Sequence, residues 1–274
     1  MTPVLVLTNH KGGVGKSTSA TNIAFGLVNL LRSARSKNAK VLLVDTDSQG
    51  HATLVTTGRK NYDTHDSLYA TLVADRKEAP RILTQSIHPS TWDPDLHVLP
   101  ASPILETAER ELIGLAGAPY RLADPLSKIR PHYAAIVIDT RPSFSLMTEM
   151  ALLAATHAII PVEPRYLETI GLMSALTKIQ DIREGWRHPE LKVNGILVTK
   201  MDKRIKGHRQ LLDDLYQHPT LGKLVCGVIP ANEAVSYSHH RNMSLFSYDH
   251  RAAASKAYAQ LVTHLARQLL TKQV

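Results

Sequence analysis

Val4-Leu5-Val6-Leu7-Thr8, Asn9-His10, Lys11-Gly12-Gly13-Val14-Gly15-Lys16-Ser17-Thr18 and the apolar positions Ile23, Ala24, Leu27, Val28 and Leu31 read continuously as a strand, a glycine-rich loop and a helix. The first run is short and apolar, as a buried strand is, and the last positions recur every three or four residues, giving one apolar helix face. Gly12, Gly13 and Gly15 leave the loop backbone unobstructed. Its N–H groups can then turn inward around phosphate oxygens at the helix N-terminus. Lys16 supplies a mobile positive charge, Ser17 a hydroxyl suited to Mg²⁺, and Thr18 a phosphate contact through backbone or side chain. His10 stands where the general pattern G-x-x-x-x-G-K-[ST] opens with glycine, but the strand-before and helix-after setting that the motif requires is intact. Residues 11–18 are therefore expected to bind a nucleotide.

Outward from this loop, similar apolar runs recur at Val41–Asp45, His97–Leu99, Ala135–Asp139, Ala158–Val162, Val193–Val198 and Leu224–Ile229, with helical patterns between them. Strands alternating with helices predict an α/β fold, a mostly parallel twisted sheet with helices on both faces. The polar stretch from Gly58 to Asp95, with Pro80, Pro89 and Pro94, predicts a helical excursion at the sheet edge. Leu105–Leu115, Leu172–Ile182 and Ala252–Leu270 read as helices, the last with Ala257, Leu261, Leu265 and Leu269 repeating every four residues. No repeat or linker divides the chain, so residues 1–274 are expected to form one P-loop NTPase domain.

Asp45 and Asp47 follow one strand run and Asp139 ends another. At the carboxyl ends of parallel strands such groups face the ligand crevice, where they can hold Mg²⁺ through water or orient an attacking water. A single cysteine, Cys226, excludes an intramolecular disulfide and a cysteine-held cluster within one chain. The N-terminal run carries no basic leader, and no window nears the roughly 18–20 apolar residues of a membrane span, so the expectation is a cytoplasmic protein. Lys and Arg exceed Asp and Glu by 32 to 24, a net charge of +8 that favours an acidic partner.

The extra lysine at the start of the loop, Lys11, resembles the deviant Walker A box of the ParA/MinD family of dimeric ATPases. The resemblance spans nearly the whole chain. Val41 to Thr53 is similar to the family's strand followed by D-x-D-P-Q-G-N-A-T, and Ile136 to Ser143 to its Walker B region. Ile159 to Pro164 resembles the strand that follows. Gly195 to Asp202 and Val228 to Asn232 resemble the late strands that end beside adenine. The resemblance implies ATP with Mg²⁺ and a homodimer in which Lys11 reaches the nucleotide of the partner subunit. It implies that Asp47 positions the hydrolytic water, that Ser17, Asp45 and Asp139 serve the metal, and that Pro230 and Asn232 lie beside the base. Lys11 and Lys16 are then catalytic as well as binding residues. Ser48 and Arg141 depart from the pattern, which has proline at both places; His51 replaces asparagine and Ala231 a common arginine. Arg141 brings an added charge toward the site.

Within that family the resemblance points to the partition branch. It implies nonspecific DNA binding, nucleoid association and hydrolysis stimulated by a ParB-like partner. Lys203, Arg204, Lys206 and Arg209, with Arg241 and Arg251, are candidate DNA contacts, able to neutralise phosphates without reading sequence. At 5% aromatic residues the chain offers little material for a base-stacking platform. A membrane-associated, MinD-like positioning ATPase is the first alternative. It is disfavoured because the tail helix has the pattern of a docked face and ends in Thr271-Lys272-Gln273 without a basic-aromatic anchor. A P-loop metabolic enzyme that uses ATP to activate a small molecule is the second.

Overall fold

The computed structural model describes residues 1–165 and 168–270. Strands β1 (Val4–Leu7), β2 (Val41–Asp45), β3 (His88–Pro89), β4 (Leu96–Leu99), β5 (Ala135–Asp139), β6 (His157–Val162), β7 (Lys192–Met201) and β8 (Val225–Pro230) form one sheet. Their order is β3-β4-β2-β5-β1-β6-β7-β8. Every neighbouring pair is parallel except β3 with β4.

Between the strands run α1 (Lys16–Ser33), α2 (His51–Thr57), α3 (Leu68–Val73), α4 (Ala79–Gln85), α5 (Leu105–Leu112), α6 (Ala123–Ile129) and α7 (Leu146–Ala154). The second half adds α8 (Glu168–Gly185), α9 (Lys206–Gln217), α10 (Glu233–His240), α11 (Leu245–Tyr248) and α12 (Ala253–Leu269). The strands place these helices on both faces through their period of two. Val4 and Val6, Leu42 and Val44, and Ile136 and Ile138 point into a core shared with α3 to α8. Leu5 and Leu7, Val41 and Leu43, and Ala135 and Val137 point to the opposite core, closed by α1, α11 and α12. Strands buried on both sides need apolar residues throughout, which is why their sequences are continuous and not alternating.

The excursion after Gly58 does contain helices, α3 and α4, at the sheet edge. It also contains the short strand β3, which the sequence did not suggest. Pro89 cannot donate to a ladder, and an antiparallel edge pair beside β4 is a position that tolerates it. The helix expected to reach Leu115 stops at Leu112, shortly before Gly114 takes a left-handed φ of +84°. The helix expected over Leu172–Ile182 is longer, as α8.

The tail helix docks on the core as expected, through a stripe that includes the four-residue repeat and is wider than it. Ala254, Tyr258, Leu261, Val262, Leu265 and Ala266 are buried, whereas Ala257 and Leu269 are only partly so. A four-residue repeat drifts around a helix of 3.6 residues per turn, and the buried set follows the true period. Tyr258 Oη and Ser19 Oγ, both buried, share a hydrogen bond of 2.9 Å that joins α12 to α1. Gly26 lets the two helices approach: a Cβ there would stand 2.6 Å from Val262 Cγ2. Thr271-Lys272-Gln273 lies outside the described residues. Among the described residues no helix is long and apolar enough to cross a membrane. Leu265→Ala should cost about 2–5 kcal/mol in chemical denaturation, and Leu269→Ala less than about 1 kcal/mol; equal losses would contradict the docked stripe.

Candidate active site at the carboxyl edge of the sheet

Gly13 and Gly15 have φ of +78° and +82°, a left-handed conformation that side chains rarely adopt, and they turn the loop sharply between β1 and α1. Helix α1 starts at Lys16 with Gly15 at its N-cap, no side-chain cap and no acidic residue in its first turn. Its positive end is therefore left for an anion. Lys16 is 6% exposed and donates from Nζ to the Lys11 carbonyl at 2.7 Å, so its ammonium is folded against the loop it would share with phosphate. Two residues that sequence reasoning passed over hold this loop. Asn9 donates from Nδ2 to the Pro161 carbonyl at 2.8 Å and accepts from Lys11 N at 3.1 Å. Thr199 Oγ1 lies 2.9 Å from the Val14 carbonyl and 3.1 Å from the Val162 carbonyl, sharing one hydroxyl proton between β6 and the loop. Thr199 lay within a quoted stretch, but no linear pattern links it to Val14.

On the other side of β1, Asp45 and Asp139 sit on paired positions of β2 and β5, both fully buried. Asp45 is well satisfied: Oδ2 accepts from Thr53 N at 2.8 Å and from Thr53 Oγ1 at 2.7 Å, and Oδ1 accepts from Asp47 N at 3.1 Å. Burial nevertheless pushes its carboxyl up to about 6. Asp139 has neither oxygen in a hydrogen bond among the described residues. Burial first, then the neighbouring Asp45 charge, raises it well above the usual carboxylate range; nearby Ser17 and Lys16 act in the opposite direction. Asp47, 7% exposed, follows in a turn in which its Oδ1 accepts from Gln49 N at 3.0 Å.

The structure thus brings Lys11, Lys16, Ser17, Asp45, Asp47 and Asp139 to one edge. Asp45 also braces the turn, its oxygens accepting from Thr53 and Asp47. A buried, unsatisfied carboxylate beside a serine hydroxyl fits a hard divalent cation, and few protein ligands suit Mg²⁺, which keeps waters and takes phosphate oxygens. Consistent with so sparse a set, no group of three His, Cys, Asp or Glu ligands is gathered anywhere among the described residues.

Pro230 ends β8 opposite Met201 of β7, one strand beyond Thr199. Asn232 caps α10, its Oδ1 accepting from Ala234 N at 2.9 Å. Its carbonyl oxygen is thus committed to the helix. Arg141 does not point its charge at the phosphate loop: its NH1 donates to Glu109 Oε2 at 2.8 Å. The basic candidates Lys203, Arg204, Lys206 and Arg209 cluster at the turn into α9 and are exposed. Arg204 is already paired with Asp202 at 2.7 Å, and Arg209 donates to the Lys203 carbonyl. Arg241 follows α10, near the Tyr248 ring at 5.8 Å, and Arg251 precedes α12.

Because Asp45 and Asp139 bind protons more tightly folded than unfolded, they favour folding below about pH 4 and lose that contribution as pH rises through their folded values. Asp139→Asn should raise the Tm of the nucleotide-free chain at pH 7.5 by about 2 °C or more, a gain that shrinks toward pH 5. Thermal unfolding of both chains across pH 5–8 cancels the opposite contribution of half-buried histidines such as His157, lowered to about 4. The same variant should lose stabilisation by Mg²⁺ and ATP.

A model of a family described as an AAA domain matches residues 2–193. The chromosome partitioning protein ParA of Caulobacter vibrioides is 32% identical, over 98% of this chain and 94% of the relative. The sporulation initiation inhibitor protein Soj of Bacillus subtilis is 29% identical, over 97% and 99%. Among solved structures, cobyrinic acid a,c-diamide synthase from Mycobacterium smegmatis, with an ATP analogue and magnesium bound, superposes with a TM-score of 0.78 at 26% identity, covering 99% and 97%. With a phosphate loop in place and likenesses that run over nearly the whole of both proteins, the chain belongs to the ParA/MinD family of P-loop ATPases.

Proposed function

We propose that the chain is a partition-type ATPase that closes as an ATP-dependent sandwich dimer, binds DNA nonspecifically and positions DNA or another large cargo, with a ParB-like partner stimulating hydrolysis. The observation that carries this reading is Lys11 at the mouth of a complete phosphate loop, in a chain similar from end to end to chromosome partitioning proteins. Residues 11–18 cradle the phosphates of ATP, and Pro230 and Asn232 flank the base. Lys16 exchanges the Lys11 carbonyl for a phosphate oxygen, and Lys11 extends toward the partner's nucleotide. Asp139 and Ser17 would hold Mg²⁺, directly or through water, and the ion would neutralise developing phosphate charge. Asp47 orients the attacking water. Intrinsic hydrolysis is slow, and the domain works in the cytoplasm on the nucleoid.

The second reading, ATP-dependent activation of a small molecule, draws support from the name of the Mycobacterium smegmatis neighbour. Such an enzyme would ignore DNA and turn over ATP only with its substrate. The docked face of α12 supplies no support for the MinD-like reading.

Binding to nonspecific duplex DNA across salt concentrations, with ATP, ADP or no nucleotide, separates these readings. ATP-dependent, salt-sensitive binding that Lys11→Ala abolishes is expected; no binding in any nucleotide state would sink the DNA reading. Lys203→Ala with Lys206→Ala should weaken binding uniformly across sequences and reduce the slope of log affinity against log salt by about 2. An unchanged slope would remove this turn from the interface.

A further inference from the structure

Asp47 and Asp139 each lead into a turn, and both turns are tied to the same helix. Ser48 Oγ donates to Glu106 Oε1 at 3.0 Å, and Arg141 NH1 donates to Glu109 Oε2 at 2.8 Å. Glu106 and Glu109 are three residues apart on α5 and so share a helix face. Leu105, Ala108 and Leu112 bury the neighbouring face in the core, at 1%, 0% and 2% exposure. The carboxylates are therefore presented from an anchored support. The Arg141 and Glu109 side chains are 23% and 15% exposed, so their pairing is neither a solvated surface contact nor a fully buried one.

The last links of the β2–β5 ladder are Thr46 N and Thr46 Oγ1, both donating to the Asp139 carbonyl at 3.0 and 2.8 Å. Beyond them each turn makes its own side-chain tie to α5. Ser48 and Arg141 both stand where the family pattern has proline. A proline ring would restrict its own φ; here each turn is tethered from outside by a side chain. Orientation of a reacting water is sensitive to shifts of an ångström or less, so a tether on these turns bears directly on turnover.

We propose that α5 is a crosspiece that fixes the Asp47 turn relative to the Asp139 turn, and that Glu106 and Glu109 are positioning residues for ATP hydrolysis. The inference rests on the hydrolytic roles given above to Asp47 and Asp139. It also assigns Arg141 a partner that keeps its guanidinium on α5 and leaves Lys11 and Lys16 as the cations of the phosphate loop.

The test uses the full chain carrying Glu109→Ala, Arg141→Ala, both together, Glu106→Ala or Glu109→Gln. Each alanine variant should lower kcat about ten-fold, with ATP affinity measured by a fluorescent analogue within about two-fold of the parent. The double variant should be no slower than either single one, because both remove one contact. Glu109→Gln, which keeps an acceptor for Arg141, should recover most of the rate. Because the pair is mostly buried, removing one partner lowers Tm, so kcat is read well below the Tm of every variant, where all are folded. In parallel, hydrogen exchange over residues 105–112 should slow when Mg²⁺ and a slowly hydrolysed ATP analogue bind, and Arg141→Ala should abolish that protection. Unchanged kcat, additive losses, or exchange in α5 indifferent to nucleotide would overturn the crosspiece. A parent chain that binds ATP without hydrolysing it would instead overturn the hydrolytic reading; the exchange result would then decide separately whether α5 couples the turns.

Discussion

Negative charge buried at the carboxyl edge of the sheet is the constraint around which this site is organised. Asp45 and Asp139 occupy paired positions of β2 and β5, with no water-exposed surface to solvate either one. Asp45 is compensated internally by two donors from Thr53 and one from Asp47. Asp139 is offset only in part, by nearby Ser17 and Lys16, and a buried carboxylate with so little compensation is expensive to keep in a structure that has no use for it. The positive elements around it have matching positions: Lys16 is folded against the loop carbonyl, and the uncapped start of α1 offers N–H groups to an anion. Cation, phosphate and carboxylate complete one another, so nucleotide and metal binding relieve a cost already present in the folded chain.

Much of this could be read in the sequence because it is local. A glycine-rich loop between a strand and a helix reports its own geometry, and strands buried on both faces report themselves as apolar runs. What escaped is what the fold brings together from afar. Thr199 meets Val14 across 185 residues, and Ser48 meets Glu106 across 58. Nothing in either neighbourhood signals the contact. Two residues of edge strand containing Pro89 give no periodicity to detect. The four-residue repeat of the tail helix finds Leu261 and Leu265 at the centre of the buried stripe and Ala257 and Leu269 at its margin, since a repeat of four only approximates the real helical period. Arg141 shows the same limit: its place after Asp139 suggests an added charge toward the site, while its partner, Glu109, lies on a separate helix.

The surface charge also looks different once contacts are known. A count of basic residues at the turn into α9 treats Arg204 and Arg209 as equal to Lys203 and Lys206. In the fold, Arg204 is spent on Asp202 and Arg209 on the backbone of the same turn. These two arginines shape the turn that presents the lysines. Shape and charge are thus divided among neighbours of similar composition.

The position of β1 bears on how the chain is made. It is synthesised before its ladder partners, β5 and β6: Val4 pairs with Ile136 and Leu5 with His157. Helix α1, which carries the phosphate loop, is backed by α12 through Tyr258 and Ser19. During translation β1 has no neighbour to pair with until β5 and β6 have emerged, and α1 lacks this backing until α12 has. Such long-range pairing is slow and leaves apolar strands unpaired in the meantime. The phosphate-binding loop leaves the ribosome before β5, β6 and α12, so a nascent chain that ends short of α12 lacks part of the support of its nucleotide site.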